Sequence, residues 1–191
     1  MRFIVAVLLV CSSALCQADW HVLADSSRVS FVSVKRGNIA DVHRFRNVAG
    51  VIDGQGAARI TLPFADLDSG LALRDERMRE LLFEVTRFAH AELSANVDLP
   101  HWERMRVGEV QATTLEFQLD LHGHRQRLKA DVLVSRLGEK RMQVATLEPI
   151  LIKAELFELE GGLLKLQELA GLPSIASEVP VWAVLDFQQR P

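Results

Sequence analysis

The residue pattern predicts an all-β domain: an antiparallel sheet of about eight strands closed into a barrel, with one or two short helices in the Leu73–Phe83 and Leu163–Leu172 regions. Three observations predict it. From Leu115 onward, Leu115, Phe117, Leu119 and Leu121 alternate with Glu116, Gln118, Asp120 and His122; after His122-Gly123-His124 the alternation resumes with Leu128, Ala130, Val132 and Val134 against Arg127, Lys129, Asp131 and Ser135. Successive side chains of a strand leave opposite faces, so this is an antiparallel hairpin with one apolar face and an outer face of complementary charge. Each such cross-strand charge pair adds only about 0.2 to 1 kcal/mol, enough to favour one register. The second observation is that the same two-residue period recurs along most of the chain. The third is that many half-apolar strands must hide their faces and manage two sheet edges, and closure does both. A two-sheet sandwich produces the same alternation and stays open at this level.

The first eighteen residues read as a targeting segment. Arg2 is the positive start, Phe3 to Val10 is an apolar run too short to span a bilayer, and Cys16-Gln17-Ala18 offers small residues for a signal peptidase. Cleavage after Ala18 would leave a domain of residues 19–191 that begins at Asp19 and lacks both cysteines, Cys11 and Cys16, and hence any disulfide or thiolate metal site. Acylation of Cys16 is the competing reading, but bulky Leu15 stands where a lipoprotein signal needs a small residue. The expectation is a periplasmic protein with no integral membrane segment. A net charge of -3, without a polybasic block or aromatic-basic interleaving, argues against a nucleic-acid partner.

Trp20 to Ala24 and Arg28 to Lys35 form the first strand pair, with Val29 and Phe31 sharing a face. A turn at Arg36-Gly37-Asn38 leads into a polar loop carrying Asp41, His43 and Arg44, which ends at Arg46. Val48, Gly50 and Ile52 follow at strand spacing, and Asp53-Gly54-Gln55-Gly56 is turn chemistry. Ala58, Ile60, Leu62 and Phe64 make the next strand, where Pro63, lacking an amide donor, marks a bulge or an unpaired edge. From Leu73 the period becomes helical, with Leu73, Arg77 and Leu81 on one line and Met78 and Leu82 on another. Alternation returns from Ala89 to Leu99 and is closed by Pro100. Met142–Leu147 and Ile150–Phe157 are further strands, Leu163, Leu166, Leu169 and Ala170 form a helical stripe stopped by Gly171, and Val179, Val181, Ala183, Leu185 and Phe187 line one face of the last strand.

Four segments, in this order, resemble one known family: W-H-V-L-A-D-S-S-R-V-S-F from Trp20, H-R-F-R-N-V-A-G-V-I-D from His43 to Asp53, R-D-E-R-M-R-E-L-L-F-E-V from Arg74 to Val85, and L-D-L-H-G-H at the central hairpin. The mature chain is similar to the YceI-like secreted polyisoprenoid-binding proteins. Glu76-Arg77 stands where the family has an x-His pair, and Ala89-His90 lacks its usual proline. The resemblance implies a lipocalin-like, extended eight-stranded barrel whose lumen holds an isoprenoid chain. It further implies no catalytic activity and no required cofactor, the bound lipid being a polyprenyl phosphate or an isoprenoid quinone.

On that basis the lumen candidates are Phe31, Val48, Phe64, Phe83, Phe88, Leu115, Phe117, Leu119, Val132 and Val134. A long apolar chain gains about 25 cal/mol per Å² it buries, so contact area alone can hold it. Arg74, Arg77 and Arg79 could clamp a phosphate or pyrophosphate head, because guanidinium binds such oxyanions through two parallel hydrogen bonds. His122 and His124, with His43 and His90, lack a carboxylate or third ligand at a fixed short spacing, so no metal is expected. No nucleophile elbow, catalytic cysteine, phosphate loop or zinc-helix motif is present. The partners expected are a hydrophobic small molecule and, transiently, a membrane surface; the rival reading is an envelope interaction module with a filled core.

Overall fold

The structure is a computed structural model that describes residues 18–190; both cysteines and, apart from Ala18, the stretch read from sequence as a targeting segment lie outside the described residues. Eight antiparallel strands close into a barrel. Three of the first strands and one later strand are each broken into two segments: β1 is Asp19–Val22 and Arg28–Lys35, β2 is Ile39–Phe45 and Ala49–Ile52, β3 is Ala57–Pro63 and Leu67–Asp68, and β7 is Arg141–Thr146 and Ile150–Lys153. The others are continuous: β4 His90–Asn96, β5 Val110–Leu121, β6 His124–Gly138 and β8 Glu178–Arg190. Each strand pairs with its neighbour in sequence, and β8 returns to β1 through Val22↔Phe187 and Phe31↔Val181, which leaves no long open edge. The closed ring removes the sandwich alternative.

The central hairpin has the register its charges favour. Glu116 faces Lys129 and Asp120 faces Arg125, with ion pairs of 2.7 and 2.8 Å. His122 and Gly123 turn it with φ of 54° and 79°, the left-handed pair that matches strand twist in a two-residue hairpin. Pro63 is the last residue of its ladder, just before the one-turn helix Phe64–Asp66. At Gly50 a Cβ would stand 2.5 Å from Ile60 Cδ1 and 2.7 Å from the Arg59 carbonyl, so the close approach of β2 to β3 requires glycine there.

Four expectations are corrected. Trp20–Ala24 and Arg28–Lys35 are not a strand pair but successive segments of one strand, both pairing with β8. The strand expected over Ile150–Phe157 ends at Lys153, and Ala154–Phe157 is a single helical turn. The segment around Asp41 and His43 is a strand, not a polar loop, because its inward positions are polar while Val42, 68% exposed, points out. Between β4 and β5 lies an unforeseen helix, α1, Leu99–Glu103, capped by the Asp98 carboxylate, which accepts from His101 N–H at 3.0 Å.

The connections alternate between the two ends. One end is a solid floor: Trp20 is fully buried with Leu99 and Met105, and its Nε1 donates to Glu103 Oε1 at 3.0 Å. The Arg136 guanidinium lies 5.1 Å from the Trp20 ring. The other end, the mouth, carries α2 (Ala72–Arg77) continued by a wider helical turn (Met78–Leu82), and α3 (Glu160–Leu169). The turn buries Met78 and Leu82, as the second helical line predicts, whereas Leu73 is exposed.

Candidate functional site

An apolar cavity of about 180 Å³ occupies the mouth half of the barrel. Its wall is the inward set of strand positions: Val29 and Phe31 from β1, Phe45 from β2, Ile60 and Leu62 from β3, Leu93 from β4, Phe117, Leu119 and Leu121 from β5, Ile150 and Ile152 from β7, and Val179, Val181, Ala183 and Leu185 from β8. Its cover is Leu82 and Phe83 at the end of the helical turn after α2, Leu159 just before α3 and Leu163 within it. Phe64 and Phe83 stack within the cover, centroids 4.2 Å apart and planes 8° from parallel. Gly162 lets α3 settle on that turn, since a Cβ there would meet the Leu81 carbonyl at 2.5 Å and Leu82 Cα at 2.7 Å.

Of the ten lumen candidates, the structure brings Phe31, Phe64, Phe83, Phe117 and Leu119 to the cavity. The other five stand elsewhere. Val132 and Val134 pack as solid core nearer the floor, Val48 is 1% exposed at the bend between the two segments of β2, and Leu115 is half-buried one inward position floorward of Phe117. Phe88 leaves the barrel altogether and covers the hairpin turn, its ring 4.5 Å from that of His122. The four wall residues of β8 were legible as one alternating face in the sequence; Phe45 was hidden in the supposed loop.

The proposed head-group arginines separate too. Arg74 is fully engaged: Nη1 donates to Asp41 Oδ2 at 2.6 Å, Nε to Ser69 Oγ at 2.8 Å and Nη2 to the Ser69 carbonyl at 2.5 Å. It clasps α2 to β2. Arg77 and Arg79 are half-buried and make no ion pair among the described residues.

Mouthward of Phe31 and Phe45 the inward face turns polar. Ser33 stands opposite Asp41, and Phe31 opposite His43. Lys35 Nζ reaches Asp41 Oδ2 at 2.5 Å. The Lys35 hydrogen bond, opposed by burial and helped by Arg74, holds the Asp41 carboxyl below its ordinary range. His43 is 1% exposed, and Ser33 Oγ lies 2.7 Å from its Nε2. Burial, reinforced by Arg74, lowers its pKa to about 4, so at neutral pH the ring is uncharged. On the outer side Asp68 is held far below the carboxylate range by Arg46, Arg44 and the Gly70 N–H.

The histidines named from sequence do not assemble a metal site. His122 Nδ1 is 3.1 Å from the Phe157 carbonyl and His124 is 3.4 Å from Glu158, and among the described residues no three ligating side chains converge. Among them too, no helix is long and apolar enough to cross a membrane.

Compared with known proteins, residues 20–187 match the family described as YceI-like domain. A polyisoprenoid-binding domain from Saccharophagus degradans, implicated in plant cell wall breakdown, has a solved structure that superposes with a TM-score of 0.88. It is 33% identical, and the match covers 90% of this chain and 98% of that one. Burkholderia cenocepacia BcnA superposes at 0.66 and 19% identity, over 86% and 98% of the two chains. The Campylobacter jejuni YceI protein gives 0.57 and 11%, over 83% and 90%. At those identities the likeness is one of fold alone. No curated protein sequence matches the chain.

Proposed function

Because the chain belongs to the YceI-like domain family, we propose that it is a carrier that sequesters a long-chain isoprenoid or similar amphiphilic lipid in its barrel, outside the cytoplasm. The observation that carries this reading is the cavity itself: a wall with no polar side chain, in the half of the barrel that a separate helix covers. The similar Saccharophagus degradans domain, polyisoprenoid-binding by description, supports the same ligand class. Phe31, Phe64, Phe83, Phe117 and Leu119 would contact the chain.

The volume sets a condition. About 180 Å³ is close to the roughly 150 Å³ of a cavity that takes benzene, and below the roughly 300 to 1,000 Å³ of pockets for larger ligands. A long chain therefore needs the lumen to enlarge. The cover is where it can do so, because α3 has no buried residue of its own and rests through the half-buried Leu163 and Leu166. The small volume also favours the second reading, an interaction module whose lumen stays filled by its own side chains.

Native mass spectrometry of the protein purified from its own periplasm, followed by organic extraction, tests both. The carrier reading expects a stoichiometric isoprenoid, lost when Phe117 is replaced by Asn in a still-folded protein, on a chain whose mass begins at Asp19. A ligand-free mass with no uptake of added prenyl lipid would favour the interaction module.

A further inference from the structure

The outer face of the barrel is polar on one side and apolar on the other. From β3 to β6 the outward positions carry charges that pair across strands: Arg59 with Glu92, Glu116 with Lys129 and Asp120 with Arg125. On β7 and β8 they do not. Val181, Ala183 and Leu185 line the cavity, so Trp182 and Val184 between them point outward, 38% and 37% exposed. Leu151, between the wall residues Ile150 and Ile152, is 56% exposed, and Leu147 is 50% exposed. The strand register joins these side chains into one surface. Ala145 stands opposite both Leu133 and Val184, and Leu151 stands opposite Pro180. Thr146 Oγ1 accepts from the Ala183 N–H at 3.2 Å, which sets Leu147 beside Trp182. One exposed leucine is ordinary on a folded protein, whereas a connected apolar set around a tryptophan marks a contact surface.

Each flank of the patch ends in a charge that makes no ion pair among the described residues. On the β1 side this is Arg28, opposite Val184, next to Ser30, which is opposite Trp182. On the β6 side it is Asp131, whose carboxylate accepts from the Thr114 hydroxyl and whose carbonyl accepts from the Leu147 N–H.

We infer that this face is a two-fold interface between two copies of the chain. An axis in the contact plane, running along the strands between β7 and β8, lays β8 of each copy on β7 of the other. Trp182 then covers the partner's Leu147, Val184 covers the partner's Ala145, and Pro180 covers the partner's Leu151, so every row is apolar against apolar. The same rotation carries β1 over the partner's β6, where Ser30 and Arg28 reach the partner's Asp131. The symmetry repeats that contact, so both unpaired cations meet unpaired carboxylates. The charges select a second copy over an anionic bilayer, which gains nothing from Asp131. Both mouths end on the same side of the pair and stay clear of the contact, so the inference is independent of what the lumen holds.

Sedimentation equilibrium of the purified protein tests it. A dimer with a dissociation constant on the order of 1 μM or tighter is expected. Trp182→Ser should weaken it about tenfold or more, and Leu151→Asn, at a more exposed position, should do the same if the tryptophan variant folds poorly. Arg28→Asp and Asp131→Arg should each weaken it, and the double variant, which exchanges the two charges, should recover an affinity within about threefold of the unsubstituted protein. A monomer at about 100 μM overturns the inference. So does a dimer of unchanged affinity in Trp182→Ser and Leu151→Asn, which places the interface elsewhere. Failure of the double variant to recover overturns the two-fold arrangement. A monomer that binds phosphatidylglycerol vesicles, and loses them in Trp182→Ser, gives the face to a bilayer and overturns the second copy as its occupant.

Discussion

Replacing Ala183 by Leu tests whether the cavity is open space that a ligand uses. Ala183 points inward from β8, opposite Val29, and both line the cavity. A cavity of about 180 Å³, at about 24 cal/mol per Å³, costs the fold on the order of 4 kcal/mol relative to a filled lumen. Leucine adds three carbons; at about 0.8 kcal/mol per buried carbon they recover roughly 2.4 kcal/mol, and the lost rotamer freedom of the side chain removes about 0.5 to 1 of that. The delipidated variant should therefore be about 1 to 2 kcal/mol more stable in urea, with an unchanged slope. Its uptake of a prenyl lipid should fall at least about tenfold, because the side chain now fills the space the ligand needs. A variant destabilised by more than about 1 kcal/mol would show that the space is not there. Full stability with undiminished uptake would show that the lipid binds outside the lumen.

Two further outcomes follow from the mouth. Gly162→Ala drives a Cβ into the backbone of Leu81 and Leu82, so α3 must lift; a loss of about 1 to 3 kcal/mol and faster proteolytic cleavage within α3 are expected, and equal protease resistance would refute the close seating. His43 takes its proton only near pH 4 in the fold, against 6.5 for the ordinary group. Between those values the unfolded chain binds the extra proton, so stability is highest above about pH 6.5 and falls as pH drops toward 4, by about 3 kcal/mol from this residue. Urea unfolding at pH 7 and pH 4.5 should show a smaller decline in His43→Gln, and parallel declines would place the ring in a more hydrated setting than the structure gives it.

The barrel was legible because most of its strands obey one rule, apolar inward and polar outward, and the β5–β6 hairpin obeys it from Leu115 to His122 on one side and, Leu133 apart, from Arg127 to Ser135 on the other. The β2 segment from Ile39 to Phe45 breaks the rule in both directions, with Asp41 and His43 inward and Val42 outward, and so reads as a loop. A strand whose buried side is partly polar has no hydropathy signature; only its pairing with β1 defines it. The site was half legible for a related reason. Period two assigns a residue to the inward face but not to a height along the barrel axis, so Phe117 and Val132 look alike although one walls the cavity and the other is packed core. Height depends on which end is filled, and that is decided by α1 and Trp20, far away in sequence. Arg74 looked available because its acceptors, Asp41 and Ser69, lie in other elements. The cap of α1 did leave a signal, Asp98 followed closely by Pro100, which a strand ending in proline mimics.

The floor beneath Trp20 makes the barrel a blind tube, not a pipe. Among the described residues, Leu99, Met105 and the fully buried indole close that end, and the Glu103 carboxylate ties it together by accepting from both Trp20 and Gln189. If the chain is the carrier proposed above, traffic through such a vessel is last in, first out. A molecule admitted tail first presents its head first on departure, and donor and acceptor must occupy the same rim in turn, never at the same moment. For the proposed carrier, exchange of cargo would then be a shuttle with an obligatory loaded intermediate, and not a bridge between two surfaces that both keep hold of the cargo.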